Sequence, residues 1–233
     1  MAGLNHSLHT ATMTTQLKID FVSDVSCPWC AIGLGALEQA LTNVAGDIQA
    51  TLHCQPFELN PHMPPGGQDI TEHLTEKYGS TAEQQAQIKE TIRQRGADVG
   101  FTFNTAGRGR IYNTFDAHRL LHWAGMVSPE KQLPLKKALL TACHTDRQAM
   151  ESHDVLVQAA EQAGLDATQA RDVLASNQFA DEVREQEAFF TSHGIRSVPA
   201  FIINDRHLIS GGQPAAVFEQ ALRQIAAEAP AAA

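Results

Sequence analysis

The stretch Leu17-Lys18-Ile19-Asp20-Phe21-Val22-Ser23-Asp24-Val25-Ser26-Cys27-Pro28-Trp29-Cys30 decides how this chain folds. Its first six residues have strand character, Ser23-Asp24 is turn-like, and a helical pattern begins near Pro28. Pro28 suits a first helical position, where its missing N–H would have had no partner. Two thiols three residues apart at a helix start lie on one face, one turn apart, close enough to form and break a disulfide. Cys27 faces the unpaired backbone N–H groups and the positive end of the helix dipole, which favours thiolate over thiol. Thiolate is the nucleophile of disulfide exchange, so Cys27-Pro28-Trp29-Cys30 reads as a redox dithiol.

Outward from this motif, Leu34, Leu37, Leu41 and Val44 recur at helical spacing and Gly46 closes the helix. Ile48 to Cys54 returns to strand character, completing a βαβ unit with the cysteines at the strand-to-helix junction. Met63-Pro64-Pro65-Gly66-Gly67 is a loop, and helical signals then run almost unbroken to about residue 193. Within them Ser80 and Glu83 read as a capping box, with Ile88 and Ile92 on the helix that follows and Gly96 as its stop. Ala117, Leu120, Leu121 and Ala124 form an apolar face, and Ser152 and Asp166 are N-caps of two further helices. Ala200 to Ile203 and His207 to Ser210 read as a hairpin around Asn204-Asp205-Arg206, before a closing helix from Pro214 to Glu228. The expected fold is α/β: a thioredoxin-like core (βαβ…ββα, residues 17–60 and 191–228) interrupted by a large all-helical insertion, residues 61–190. Residues 1–16 are expected to be a disordered extension in which Met13 is a candidate start, and Ala229–Ala233 a frayed tail.

Hydrophobic content of 43% and charged content of 18% are those of an ordinary globule. A net charge of −9 and the lack of a Lys/Arg-rich run argue against nucleic-acid or anionic-membrane partners. No apolar stretch approaches the roughly 20 residues a membrane span needs. The N-terminus lacks the basic and apolar regions of a secretory signal. With four cysteines, this predicts a cytoplasmic location, where dithiols are usually catalytic, sensing or metal-bound.

A second feature is Gly194-Ile195-Arg196-Ser197-Val198-Pro199-Ala200-Phe201. A proline directly before a strand costs the sheet a donor, and one use for it is a cis X–Pro bond in a fixed turn. Taken with Cys27–Cys30 and the order of elements, the chain resembles the DsbA-like branch of the thioredoxin superfamily, and within it the FrnE-type subgroup. The resemblance rests on Asp24 to Gly33, Phe57-Glu58-Leu59-Asn60-Pro61, Asn113 to Leu120 with His122-Trp123-Ala124, Val198 to Phe201, and Ser210 to Pro214. It implies a thiol-disulfide oxidoreductase in which Cys27 is the exposed attacking thiol, Cys30 the buried resolving thiol, and Pro199 a cis-proline facing them. Pro28, Trp29, Val198 and Pro199 then support the site, with the Val198 backbone presented to an extended substrate. Trp29 departs from the histidine of DsbA, so Cys27 is expected to be less acidic and the couple to rest as the dithiol, favouring a reductase or isomerase. Substrates would be protein or small-molecule disulfides and thiols, with glutathione a candidate co-substrate, no metal or organic cofactor, and a monomer or homodimer as the working form.

Competing readings attach to the remaining residues. A zinc site would need two more ligands at matching spacing, and Cys54 and Cys143 are isolated. Cys54 is expected to be a core thiol, whereas Cys143 could be a second redox thiol or pair with Cys54. His118 and His122, four apart, form a stripe with Phe115 away from the apolar face, an ordinary polar surface or a roof over the site. On the second view Asn113 and His118 face the substrate. Glu38 belongs on a solvated face. At the level of function, a glutathione-dependent isomerase or transferase of the 2-hydroxychromene-2-carboxylate isomerase or kappa type is an alternative, though such relatives carry Ser at the Cys27 position. A redox-switched chaperone or binding protein is another.

Overall fold

The computed structural model describes residues 14–228; the expectations for residues 1–13, including Met13, and for the tail from residue 229 lie outside the described residues, while Thr15 and Gln16, expected in the disordered extension, instead begin the first strand. The core opens with strand β1 (Thr15–Ser23), helix α1 (Pro28–Val44) and strand β2 (Ile48–Pro56). It closes with β5 (Ala200–Ile203), β6 (His207–Ser210) and helix α9 (Ala215–Glu228). Between them lie a two-residue ladder, β3 (Gln68–Asp69) with β4 (Arg110–Ile111), and seven helices among the described residues. These are α2 (Ile70–Tyr78), α3 (Ala82–Asp98), α4 (Phe115–Val127), α5 (Pro129–His144), α6 (His153–Gln162), α7 (Ala167–Ala175) and α8 (Ala180–Ser192). This is the α/β thioredoxin-like core with a large helical insertion that the order of elements predicts, except that the insertion, expected to be all helical, also carries the β3–β4 ladder.

The sheet runs β2-β1-β5-β6, with β1 parallel to β2 and antiparallel to β5. Alternation along β1 sends Leu17, Ile19 and Phe21 into one core with Leu34 and Leu37 of α1 and Phe218 and Leu222 of α9. Phe21 stacks on its cross-strand partner Phe201 with ring centres 4.9 Å apart, and Phe201 meets Phe218 edge-on at 4.8 Å. Val22 turns the other way, against Phe190 of α8 and Ile195. The insertion has its own core on α4, α5, α6 and α7, and Val25 from the turn after β1 is plugged into it. That single residue places the turn leading to Cys27 between two cores.

Two local expectations are corrected. The capping box is Thr81 with Gln84, one residue later than the Ser80–Glu83 reading, because Thr81 takes the N-cap position of α3. Gly96 does not stop α3, which continues to Asp98; the glycine is there because a Cβ would sit 2.5 Å from the Phe103 ring and 2.8 Å from the Phe101 carbonyl oxygen. Helix propensity alone would make Gly96→Ala stabilising by about 1 kcal/mol. We predict the opposite sign, a net loss of about 1–2 kcal/mol, because overpacking outweighs propensity here. The midpoint of urea unfolding checks it.

Candidate active site

Cys27 is the N-cap of α1, with an extended backbone (φ −90°, ψ 114°), and its carbonyl accepts the Cys30 N–H at 3.1 Å. Its thiol is held below the ordinary value because Cys30 S–H donates to it and the Cys30 and Trp29 amides add to that pull. Burial and the nearby Asp24 carboxylate work in the opposite direction. Cys30 is driven well above the ordinary thiol range, first by burial and then by Cys27, with Lys136 opposing. One thiol is thus prepared to ionise and the other to stay protonated.

The Val198–Pro199 peptide is cis, and the Val198 carbonyl accepts from Cys27 Sγ at 3.6 Å. Gly33 of α1 permits this approach, since a Cβ there would lie 3.1 Å from Pro199 Cγ. The resemblance implied an exposed attacking thiol; Cys27 is only 4% exposed and Cys30 fully buried. The Val198 carbonyl closes over one side of Cys27 and the core packs the other. Trp29 packs against the same core.

The turn before the cysteines is gripped residue by residue. Asp24 Oδ1 accepts the Ser26 N–H at 3.1 Å, and Oδ2 accepts the Ser26 hydroxyl at 3.1 Å and the Leu59 N–H at 2.8 Å. His118 Nε2 of α4 faces Oδ1 at 3.6 Å, an ion-pair separation longer than a hydrogen bond. Burial would raise the Asp24 carboxyl, but His118 and the two amides outweigh it and hold it well below the usual range. The Val25 carbonyl lies 3.0 Å from His144 Nε2 of α5. Burial holds that imidazole well below its ordinary value, so it is neutral and donates through Nε2–H. The Ser26 carbonyl accepts from Arg108 Nη1 at 2.5 Å, and the same nitrogen lies 3.8 Å from Cys143 Sγ.

His118, 2% exposed, therefore does not belong to a polar surface stripe: α4 is buried on this side too, and the ring turns inward to Asp24. Asn113 uses its oxygen on the Phe115 N–H at 2.9 Å and sets its amide 3.4 Å from Glu58. Glu58 is paired with Arg184, whose guanidinium stacks 3.8 Å above the Phe115 ring. His122 is partly buried against Phe179. Cys54 is a buried core thiol, pushed up to about 11 by burial, and Cys143 is likewise raised by burial. The two sit in separate hydrophobic cores, which answers the suggestion that they pair. Glu38 forms a surface ion pair with Lys137 at 2.9 Å. No group of three His, Cys, Asp or Glu side chains suited to a metal ion occurs among the described residues.

Sequence reasoning gave no role to Asp24, Arg108, Lys136 or His144. The signal for Lys136 was available: it lies four residues before Leu140 and seven before Cys143, on a buried stripe that is mostly apolar. Arg108 had none, since only the tertiary fold brings residue 108 to residue 26. We predict that alkylation of Cys27 by iodoacetamide rises with pH to a plateau whose midpoint lies below the free-thiol value of about 8.5. Cys30→Ala moves the midpoint up, because the S–H donor is lost.

The family profile described as a DSBA-like thioredoxin domain matches residues 18–223. A crystal structure of a probable DsbA oxidoreductase from Streptomyces coelicolor is similar at 33% identity and a TM-score of 0.84, covering 93% of each chain. The cytosolic disulfide reductase DsbM of Pseudomonas aeruginosa shares the fold at 15% identity, with a TM-score of 0.59 over 88% of this chain and 99% of that one. The uncharacterized protein YwbO of Bacillus subtilis is 24% identical over 211 residues, 90% of this chain and 96% of that protein. The chain belongs to the DsbA-like thioredoxin domain family, with Cys27 and Cys30 as its candidate active-site pair.

Proposed function

We propose that this protein is a FrnE-type thiol-disulfide oxidoreductase that works mainly as a reductase or isomerase in a reducing, cytoplasmic setting. The observation that carries the reading is geometric: Cys27 is the N-cap of α1, one turn from the buried Cys30, and its Sγ lies 3.6 Å from the carbonyl of the cis Val198–Pro199 peptide. The subgroup rests on the Asn113 to Ala124 stretch, and the reducing setting on the Asp24 carboxylate that opposes ionisation of Cys27.

In the forward direction the Cys27 thiolate attacks a substrate disulfide, forming a mixed disulfide and releasing one substrate thiolate. The substrate's backbone is held in strand-like fashion along the Val198-Pro199 edge. Cys30 then attacks Cys27 Sγ, the Cys27–substrate bond breaks, and the second substrate thiol leaves with the proton that Cys30 gives up. The products are a Cys27–Cys30 disulfide and a reduced substrate. A thiol donor such as glutathione resets the pair.

Reduction of insulin by dithiothreitol with catalytic protein tests this. The wild-type chain is expected to accelerate it, Cys27→Ser to abolish the acceleration, and Cys30→Ser to accumulate a mixed disulfide visible by mass spectrometry. Equal acceleration by Cys27→Ser would overturn the reading. Glutathione-dependent turnover of a small substrate that survives Cys30→Ser would favour the isomerase class instead.

A further inference from the structure

Lys136 of α5 is fully buried, and its Nζ has no hydrogen-bond partner among the described residues. Burying an ammonium without a partner is costly, so a side chain kept in that state calls for a reason. Nζ lies 5.7 Å from the centre of the Phe21 ring, and Phe21 pairs across the sheet with Cys54. Phe21, Cys27, Cys30 and Cys54 share one apolar cluster. The titratable groups that feel Lys136 are Cys30 on α1, Cys54 on β2 and His144 on its own helix. Cys30 is also faced by Cys27.

We infer that Lys136 is the charge partner of Cys30, a positioning residue whose ammonium offsets the thiolate that forms on Cys30 as it resolves the mixed disulfide. This rests on the oxidoreductase reading and assigns a residue to its second step. Of the three thiols in this cluster, Cys54 takes no part in turnover and Cys27 has its own donors at the helix N-terminus, which leaves Cys30, fully enclosed, as the thiol whose ionisation needs a cation. The pairing therefore exists in the reacting state and is absent in the resting dithiol, the condition under which an interaction accelerates a step. Burial drives the Cys30 thiol up and Lys136 is the side chain that pulls it down. In the step itself Cys30 S–H gives up its proton, its sulfur bonds to Cys27 Sγ, and the departing substrate sulfur leaves with the electron pair of the broken bond and takes up a proton. No further oxidant or reductant enters. Arg108, the other cation near the site, is spent on the Ser26 carbonyl and Cys143.

The test uses the full reduced chain and an aromatic disulfide, 5,5′-dithiobis(2-nitrobenzoate), in stopped flow. Cys27 attack releases one thionitrobenzoate and Cys30 resolution releases a second, so the two steps read separately. Lys136→Met is expected to slow the second release by about tenfold or more at pH 7 and to move its inflection up by about one pH unit. The first release is expected to stay within about twofold. An unchanged second phase with an unchanged pH profile would overturn the inference. A wild-type chain that releases thionitrobenzoate from Cys27 but never resolves would sink the oxidoreductase reading itself. Should Lys136→Met not fold, the wild type suffices: among the chain's six lysines, one side-chain resonance must shift between the dithiol and disulfide forms and be shielded from solvent. Failure of any buried lysine to respond would contradict the pairing.

Discussion

The grip of the helical insertion on the turn Asp24-Val25-Ser26 is the constraint on which the rest of the site depends. His118 faces Asp24, His144 holds the Val25 carbonyl, and Arg108 holds the Ser26 carbonyl. The Val25 side chain is buried in the insertion's own core. Each hydrogen bond contributes only about 1 kcal/mol net, but leaving these buried carbonyls unpaired would cost more than that apiece. Residues 108–144 are thus part of the catalytic turn's scaffold even though they lie far from it in sequence. A βαβ core without them would present the same Cys-Pro-Trp-Cys motif on a turn exposed to water and no longer fixed in place.

That grip also decides the electrostatics at Cys27. The groups that favour its thiolate are neutral dipoles, the Cys30 S–H and two helix-terminal amides, while the Asp24 carboxylate opposes it. The same carboxylate that ties the turn together limits how acidic the attacking thiol becomes. A strongly oxidising couple arises when the reduced form is heavily stabilised, and stabilisation by neutral donors against an opposing carboxylate is moderate. In the proposed mechanism the charge of Lys136 serves Cys30, whose thiol it pulls down against burial. On that proposal acidity is spread between two steps, attack and resolution, instead of being concentrated in the first.

Much of this was legible in the chain. Strand and helix periodicity around residues 17–54 and 200–228 located the core, because apolar alternation and the Pro28 start are local signals. Ser152 and Asp166 announced their helices by cap chemistry, and both occupy the N-caps they were read as. The inward turn of His118 was not legible, since helical periodicity gives a face but not whether a second body covers the opposite one. Gly96 misled because a glycine that ends a helix and a glycine that admits a neighbouring ring look alike in sequence. Lys136 was visible as a charge on an apolar stripe, but its meaning came only from the cysteines beside it.

The most direct measurement is the reduction potential of the Cys27–Cys30 pair, by equilibration of the full chain in glutathione buffers. Moderate thiolate stabilisation by neutral donors predicts a value much nearer the roughly −270 mV of thioredoxin than the roughly −120 mV of DsbA. A value near that of DsbA would contradict the account, because it would require a stabilisation of the reduced form that the surroundings of Cys27 do not supply.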